Sequence, residues 1–425
     1  MLSKGVKTAL RSGLEFINTY SYESRIALAV KRQEQRASPL SVAPRRRHLD
    51  AAIAWIMRAQ DADSTGGVPW GFRARRPVRT AHPMGWIAPY PETTGYIIPT
   101  MLRYADLAGD QGVIERARKM TEWELSIQLE DGGFQGGLYG SQPAASSTFV
   151  TGQVLFGLTS MFARFGGDRL RTAATRAGDW LLGCLDGDGR FVRGYSHYCA
   201  AGAKAYEART GLALAELADL VGAKGYRDAA GRIADYALSV QQPNGWFAEN
   251  DLDFQDRPLT HTIGYVLEGL HGIGVRLGRH DCIDAVERTL TAISPLIQSD
   301  GWLAGRLHKD WTPATNSVCL TGSSQIAGVF LRMYLYTGKR DYFDAGRNLL
   351  GFVCFTQDLR PGIPGVDGGI RGSYPFEGEY GQWCVLNWAT KFFADSVMDY
   401  LAAESTTQLE VPAARAVSTF RQSKP

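Results

Sequence analysis

Two kinds of helical segment alternate along this chain. The first kind carries an apolar stripe on a polar background, as Leu49, Ile53, Ile56 and Met57 do. That spacing predicts a helix with one face on a core and the other in water. The second kind, at 151–162, 211–221, 264–275 and 324–336, is rich in Gly, Ala, Leu and Val and poor in charge. Helices that are apolar on nearly all sides are buried ones. The pattern therefore predicts an outer ring of amphipathic helices around an inner ring of apolar ones.

The alternation has a period. A large residue is followed five positions later by a helix-end residue at Trp55/Gln60, Trp123/Gln128, Trp180/Leu185, Tyr236/Gln241, Ile293/Gln298 and Phe352/Gln357. A Gly-rich turn follows each pair: Gly66-Gly67, Gly132-Gly133, Gly187 to Gly189, Asn244-Gly245, Asp300-Gly301 and Gly368-Gly369. A glycine then opens the next helix at positions 95, 152, 211, 264, 322 and 381, so successive copies lie 53 to 59 residues apart. Six copies make one closed unit, although 425 residues alone would allow two or three domains. Turns from inner to outer helix are short. Loops from outer to inner helix are long, at 61–91, 129–147, 186–206, 243–260, 299–318 and 358–379. Long loops on one face of a regular scaffold are where function concentrates.

Outside the repeat, residues 1–48 read as a helix through Val6, Leu10, Leu14 and Ile17, then a basic linker ending in Pro44-Arg45-Arg46-Arg47. The barrel is expected over 49–404, and 405–425 as a polar tail that frays. Hydrophobic residues make up 44% of the chain, enough for a large core. A net charge of +3 gives no argument for nucleic acid or a membrane surface. No 18-residue apolar run is present, so no integral membrane segment is expected. Cys184, Cys199, Cys282, Cys319, Cys354 and Cys384 are scattered without paired spacing, which reads as reduced thiols in a cytoplasmic protein. Asp186-Gly187-Asp188-Gly189 and Asp251/Asp253/Asp256 lack the spacing of a calcium loop, and the glycine runs lack a phosphate-loop ending, so neither metal nor cofactor is expected.

Six helical hairpins with Gly-rich inward turns resemble the all-α (α/α)6 barrel of the six-hairpin glycosidase-like type. Pro258 to Tyr265, Cys319 to Gln325 and Val385 to Phe393 resemble barrel proteins encoded with bacterial exopolysaccharide synthesis. The last two segments resemble, more weakly, the C-terminal domain of D-glucuronyl C5-epimerases. There a Tyr/Glu-rich segment precedes a Val-Leu-Asn run, whereas Tyr374 to Tyr380 holds the acids and phenols in another order. The repeat also resembles those of prenyltransferases and triterpene cyclases, which would give Asp251-Leu252-Asp253 a proton-donating role. A lanthionine-cyclase zinc set is ruled out, because no Cys-His follows Trp383-Cys384.

The resemblance implies that residues at the inner-helix starts converge on one barrel-end cleft. Glu92, Glu207 and His261 occupy such positions and are the expected catalytic groups. Glycoside hydrolysis needs one neutral and one charged carboxyl. An imidazole titrates near neutrality and carries protons, as an epimerase or lyase acting beside a uronate carboxylate requires. Each glutamate alone is equally well read as a helix-start carboxylate favoured by the macrodipole. Tyr96, Arg209, Tyr265, Arg371, Glu377 and Glu379 are the expected polar substrate contacts, and Trp70, Trp86 and Trp311 the expected sugar-stacking surfaces. The reading is a carbohydrate-active enzyme of bacterial polysaccharide metabolism that cleaves a poly- or oligosaccharide. Uronate C5-epimerisation or elimination, a non-catalytic glycan-binding barrel and a terpene-type cyclase are the alternatives. The sugar, the linkage and the oligomeric state are not legible.

Overall fold

The computed structural model describes residues 26, 28–30, 34, 46–75, 85–142, 144–195, 201–360 and 362–419. The expected helix through Val6 and Ile17, most of the basic linker and Cys199 lie outside these residues. The helices run in chain order as α1 (Arg46–Asp61), α2 (Pro91–Ala108), α3 (Gln111–Ile127), α4 (Thr148–Phe165), α5 (Asp168–Cys184), α6 (Ala208–Val221), α7 (Lys224–Ser239), α8 (Thr260–Leu277), α9 (His280–Ile293), α10 (Leu320–Thr337), α11 (Arg340–Thr356) and α12 (Asn387–Thr419). Even-numbered helices form an inner ring in which each packs on the next, and α12 closes back on α2. Odd-numbered helices lie outside.

Each outer helix packs most closely on the inner helix before it, α3 on α2 through to α11 on α10. The reason is the short return turn, such as Gly109-Asp110 between α2 and α3. Among the described residues no inner helix of the ring precedes α1, and it packs on the last, α12. It starts at Arg46, so the end of the expected linker belongs to the barrel. At the other end the helical backbone runs on to Thr419, past the expected barrel limit at 404.

The repeat signature has a physical cause. Four of the recurring glutamines each tie their own turn to the next outer helix. Gln128 Nε2 donates to the Gly132 and Ala173 carbonyls, both at 2.9 Å. Gln60, Gln241 and Gln357 do the same toward α3, α9 and α1. The turn glycine sits against that neighbour in a left-handed conformation. Gly132 has φ +97°, and a Cβ there would lie 2.6 Å from the Arg176 carbonyl oxygen. Gly301 repeats the arrangement at φ +86° and 2.2 Å from the Asn348 oxygen. Only glycine tolerates both conditions.

Glycines at the inner-helix starts let neighbouring rods touch. A Cβ on Gly95 would lie 2.4 Å from the Val154 Cα, and one on Gly322 would lie 2.6 Å from the Thr260 backbone. The sixth copy departs from this plan. Gly381 lies in a turn at φ +58°, and α12 starts six residues later, at Asn387. The intervening chain is a strand of the rim. The rim strands are β1 (Gly71–Arg73), β2 (Gly85–Trp86), β3 (Val318–Cys319), β4 (Ile370–Arg371), β5 (Ser373–Tyr374) and β6 (Cys384–Leu386). An antiparallel sheet of order β2-β1-β6-β4 joins the first rim loop to the last, with Gly71 opposite Leu386 and Arg73 opposite Cys384. β3 pairs with β5. Among the described residues, no helix is long and apolar enough to cross a membrane.

Candidate active site

Inner helices start at the rim, so their N-terminal ends surround one space. Proline at the first position of α2 presets its entry, and Glu92 follows in the first turn. A single 3-10 turn, Ala205–Glu207, delivers Glu207 ahead of α6. His261 is the second residue of α8. These three side chains line one cavity of about 440 Å³.

Both carboxyls are perturbed in the same direction. Burial raises Glu207 to about 7, opposed by hydrogen bonds from Thr210 and Thr148, while the neighbouring Glu92 adds to the rise. Thr148 Oγ1 donates to one Glu207 oxygen at 3.0 Å and Thr210 Oγ1 to the other at 2.6 Å. Glu92 is also raised to about 7 by burial, against the Tyr90 hydroxyl and the charge of Arg209. Tyr90 donates to its Oε2 at 2.8 Å. Helix-start dipoles favour carboxylate charge, yet the loss of water outweighs them here. Burial lowers His261 to about 4, so its ring is neutral at physiological pH.

Aromatic rings make up most of the remaining wall. Trp388 stands edge-on to Trp70 at 4.7 Å and donates from Nε1 to the Tyr380 hydroxyl at 3.0 Å. His261 lies 4.3 Å from the Tyr265 ring and 5.6 Å from Tyr380. Phe149 packs against Tyr206 and Tyr265. The Tyr96 and Tyr265 hydroxyls are buried and interact with each other, and burial holds both phenols well above their ordinary range. Two cations reach the wall, Arg73 and Lys204. Lys204 Nζ is 3.0 Å from Asp251 Oδ1.

Of the residues singled out from sequence, Glu92, Glu207, His261, Trp70, Tyr96 and Tyr265 meet at this cavity. The others point elsewhere. Arg209 turns down the barrel axis to Glu268 and to Gln153 Oε1 at 2.7 Å, caged by Tyr96, Phe156, Tyr265 and Phe392. Trp86 packs on Trp55 and Phe72. Trp311 packs on Trp246 and donates to the Asn244 carbonyl at 3.0 Å. Arg371 is buried in β4 and paired with Glu34 at 2.7 Å. Glu379 is held by Arg306 at 3.1 Å and the Thr315 hydroxyl at 2.8 Å. Glu377 lies beside Glu34, whose carboxyl it helps to push up. Tyr90, Phe149, Lys204, Tyr206, Tyr380 and Trp388 also line the cavity. Tyr380 ends the acid- and phenol-bearing segment Tyr374 to Tyr380 noted in the sequence, while the other five carry no signal in the repeat.

The two aspartate runs behave as turns and ion pairs. Asp186 accepts from the Asp188 and Arg190 backbone at 3.0 and 2.8 Å. Asp251 pairs with Lys204 and Asp253 with Arg306. Among the described residues, no cluster of His, Cys, Asp and Glu has the arrangement of a metal site.

No protein-family model matches the chain, and no curated protein matches its sequence. Solved structures do resemble it. An unsaturated glucuronyl hydrolase specific for heparin superimposes with a TM-score of 0.65 at 14% identity, covering 84% of this chain and 97% of that one. Cellobiose 2-epimerase from Bacillus thermoamylovorans gives 0.63 at 11%, covering 83% and 97%. A glycosyl hydrolase family 88 protein from Bacteroides vulgatus gives 0.59 at 10%, with the same coverage. The fold is the all-α (α/α)6 barrel of six-hairpin glycosidase-like proteins.

Proposed function

We propose that this chain is a carbohydrate-active enzyme that cleaves a glycosidic bond in an oligo- or polysaccharide whose end enters the barrel cavity. The observation that carries this reading is the pair of carboxyls raised to about 7 in one aromatic-lined space. Two carboxyls of high proton affinity on one cavity wall are each partly protonated near neutrality. Hydrolysis asks for that state: one acid to protonate the leaving oxygen and one carboxylate to activate water or attack. Hydroxyls donate to both oxygens of Glu207, which favours it as the carboxylate. Glu92 accepts a single hydroxyl donor and is free to carry the proton. Trp70, Trp388 and Tyr380 supply flat apolar faces with polar edges, which suits a sugar ring.

A second reading has its own observation. The neutral ring of His261 in the same wall suits proton abstraction beside a carboxylate, as in uronate epimerisation or elimination. Acidic and neutral oligosaccharides assayed for reducing ends, unsaturated products and solvent deuterium at C5 separate the two. Glu92→Gln and Glu207→Gln should abolish reducing-end release while retaining binding. Wild-type turnover in both variants would overturn the hydrolytic reading.

A further inference from the structure

Below the cavity the barrel axis is filled by charge. Glu268 lies two turns after His261 on the same face of α8, and is almost fully buried. Its Oε1 is 3.1 Å from Arg332 Nη2, and Arg209 pairs with its Oε2. Burial opposes its charge, but Arg209, Arg332 and Lys391 outweigh burial and hold the carboxyl below its ordinary range. Gln325 reaches between Glu268 and His261 from the adjacent inner helix α10. Its Nε2 is 3.2 Å from Glu268 Oε2, and its Oε1 is 2.6 Å from His261 Nδ1.

These contacts have only one consistent arrangement of hydrogens. An ionised carboxylate accepts and never donates, so Gln325 must turn its NH2 group toward Glu268. The amide oxygen then faces His261 and can only accept, so Nδ1 carries the hydrogen. A neutral imidazole has one such hydrogen, which leaves Nε2 with a bare lone pair. Among the described residues Nε2 has no hydrogen-bond partner, and the ring forms part of the cavity wall. Gly264 makes the reach possible: a Cβ there would lie 2.6 Å from the Gln325 Cβ and 2.9 Å from its Oε1.

We infer that Glu268 is a positioning residue which, acting through Gln325, fixes His261 in the Nδ1–H tautomer and presents Nε2 to the substrate as a standing proton acceptor. The inference rests on the sugar-site reading for its use, while the tautomer itself is independent of it. The other charges and phenols facing the ring are consistent with a neutral acceptor. Arg209 opposes imidazolium, Glu268 favours it from behind the amide, and burial prevails. The Tyr265 and Tyr380 phenols beside the ring are protonated, since burial holds both well above their ordinary range.

The test is nitrogen-15 NMR of the full chain labelled in its seven histidine rings, with His261 assigned by the signals missing in His261→Gln. Wild type should show a pyrrole-type Nδ1 and a pyridine-type Nε2 that hold from about pH 5.5 to about pH 8. Glu268→Gln should mix the tautomers, but it also strips Arg209 and Arg332 of their partner. Gln325→Leu and Gly264→Ala, which keep the buried charges intact, therefore carry the comparison. Both should shift the His261 signals toward mixed tautomers and lower kcat by about ten-fold or more, with KM little changed. A wild-type ring in the Nε2–H form, or an unchanged spectrum in Gln325→Leu, would overturn the inference. Should the spectra behave as expected while Glu92→Gln and His261→Gln turn over oligosaccharides normally, the positioning chain stands and the catalytic reading fails.

Discussion

Burial raises the proton affinity of Glu207, and Glu92 adds to the rise across a shared cavity. The singly protonated pair is most populated near pH 7, where both are set. A plot of kcat/KM against pH should be bell-shaped and centred there, with one limb for each macroscopic step. In Glu92→Gln the neighbouring charge is gone and the remaining carboxyl should titrate lower. Residual binding measured by calorimetry should follow that lower value. A flat profile would separate the pair from the chemistry.

The same shift predicts a stability effect of definite sign. Glu207 is charged above about pH 4.5 when unfolded but only above about 7 when folded. Its contribution is neutral at low pH, and folding loses stability as pH rises through that window, by up to about 3 kcal/mol at pH 8. Glu207→Gln should therefore melt close to wild type at about pH 4.5 and higher than wild type at about pH 8. Thermal denaturation at the two pH values checks it. An equal offset at both would show that packing, not charge, governs the change.

The buried ions on the axis behave in the opposite way. Arg209 and Glu268 are each less than a tenth exposed and neutralise one another. Arg209→Met leaves Glu268 with Arg332 in direct contact and Lys391 nearby, and should cost about 3–5 kcal/mol, the usual result of breaking a buried pair from one side. Chemical denaturation would read it directly. A loss below about 1 kcal/mol would mean that Arg332 and Lys391 suffice for Glu268.

Two glycines of positive φ, +97° at Gly132 and +66° at Gly109, should respond differently to alanine. Gly132→Ala meets the Arg176 carbonyl at 2.6 Å and should cost roughly 3 kcal/mol or more, whereas Gly109→Ala meets nothing within 4 Å and should cost only about 1 kcal/mol of backbone strain. Comparable losses would show that backbone conformation alone sets the requirement.

Gln128→Leu removes both donors that tie the turn of the second copy to α5. Two carbonyls lose their partners, so a loss of about 1–3 kcal/mol is expected in the same measurement. No change would mean that water replaces the amide there.

The ring was legible because its signature is a constraint. Gln60, Gln128, Gln241 and Gln357 recur since each must bridge two elements, and the turn glycines recur since a neighbour's carbonyl leaves no room for a side chain. Glu92, Glu207 and His261 were legible as a set for the same reason: equivalent positions in a closed ring face one space. The residues that point elsewhere do so for separate reasons. Taking Gly381 as the start of the sixth inner helix moved that start six residues early. Glu377 and Glu379 were then placed at the cavity, and Trp388, which stands in the true first turn, was overlooked. Arg209 stands two positions after Glu207, a step of about 200° around a helix. It therefore faces the axis rather than the mouth. Trp86 and Trp311 lie in loops without a period, where only tertiary packing decides which way a ring turns.

The pairing of β1 with β6 and the seating of α1 on α12 carry a consequence for synthesis. Until Asn387 and the residues after it leave the ribosome, the first helix has no seat and the strand at Gly71–Arg73 has an open edge. A nascent barrel is thus an unfinished arc with sticky ends, which invites mispairing with a second arc of the same kind. This toroid can acquire its finished shape only after translation has passed its sixth copy, and any chaperone demand should fall in that interval.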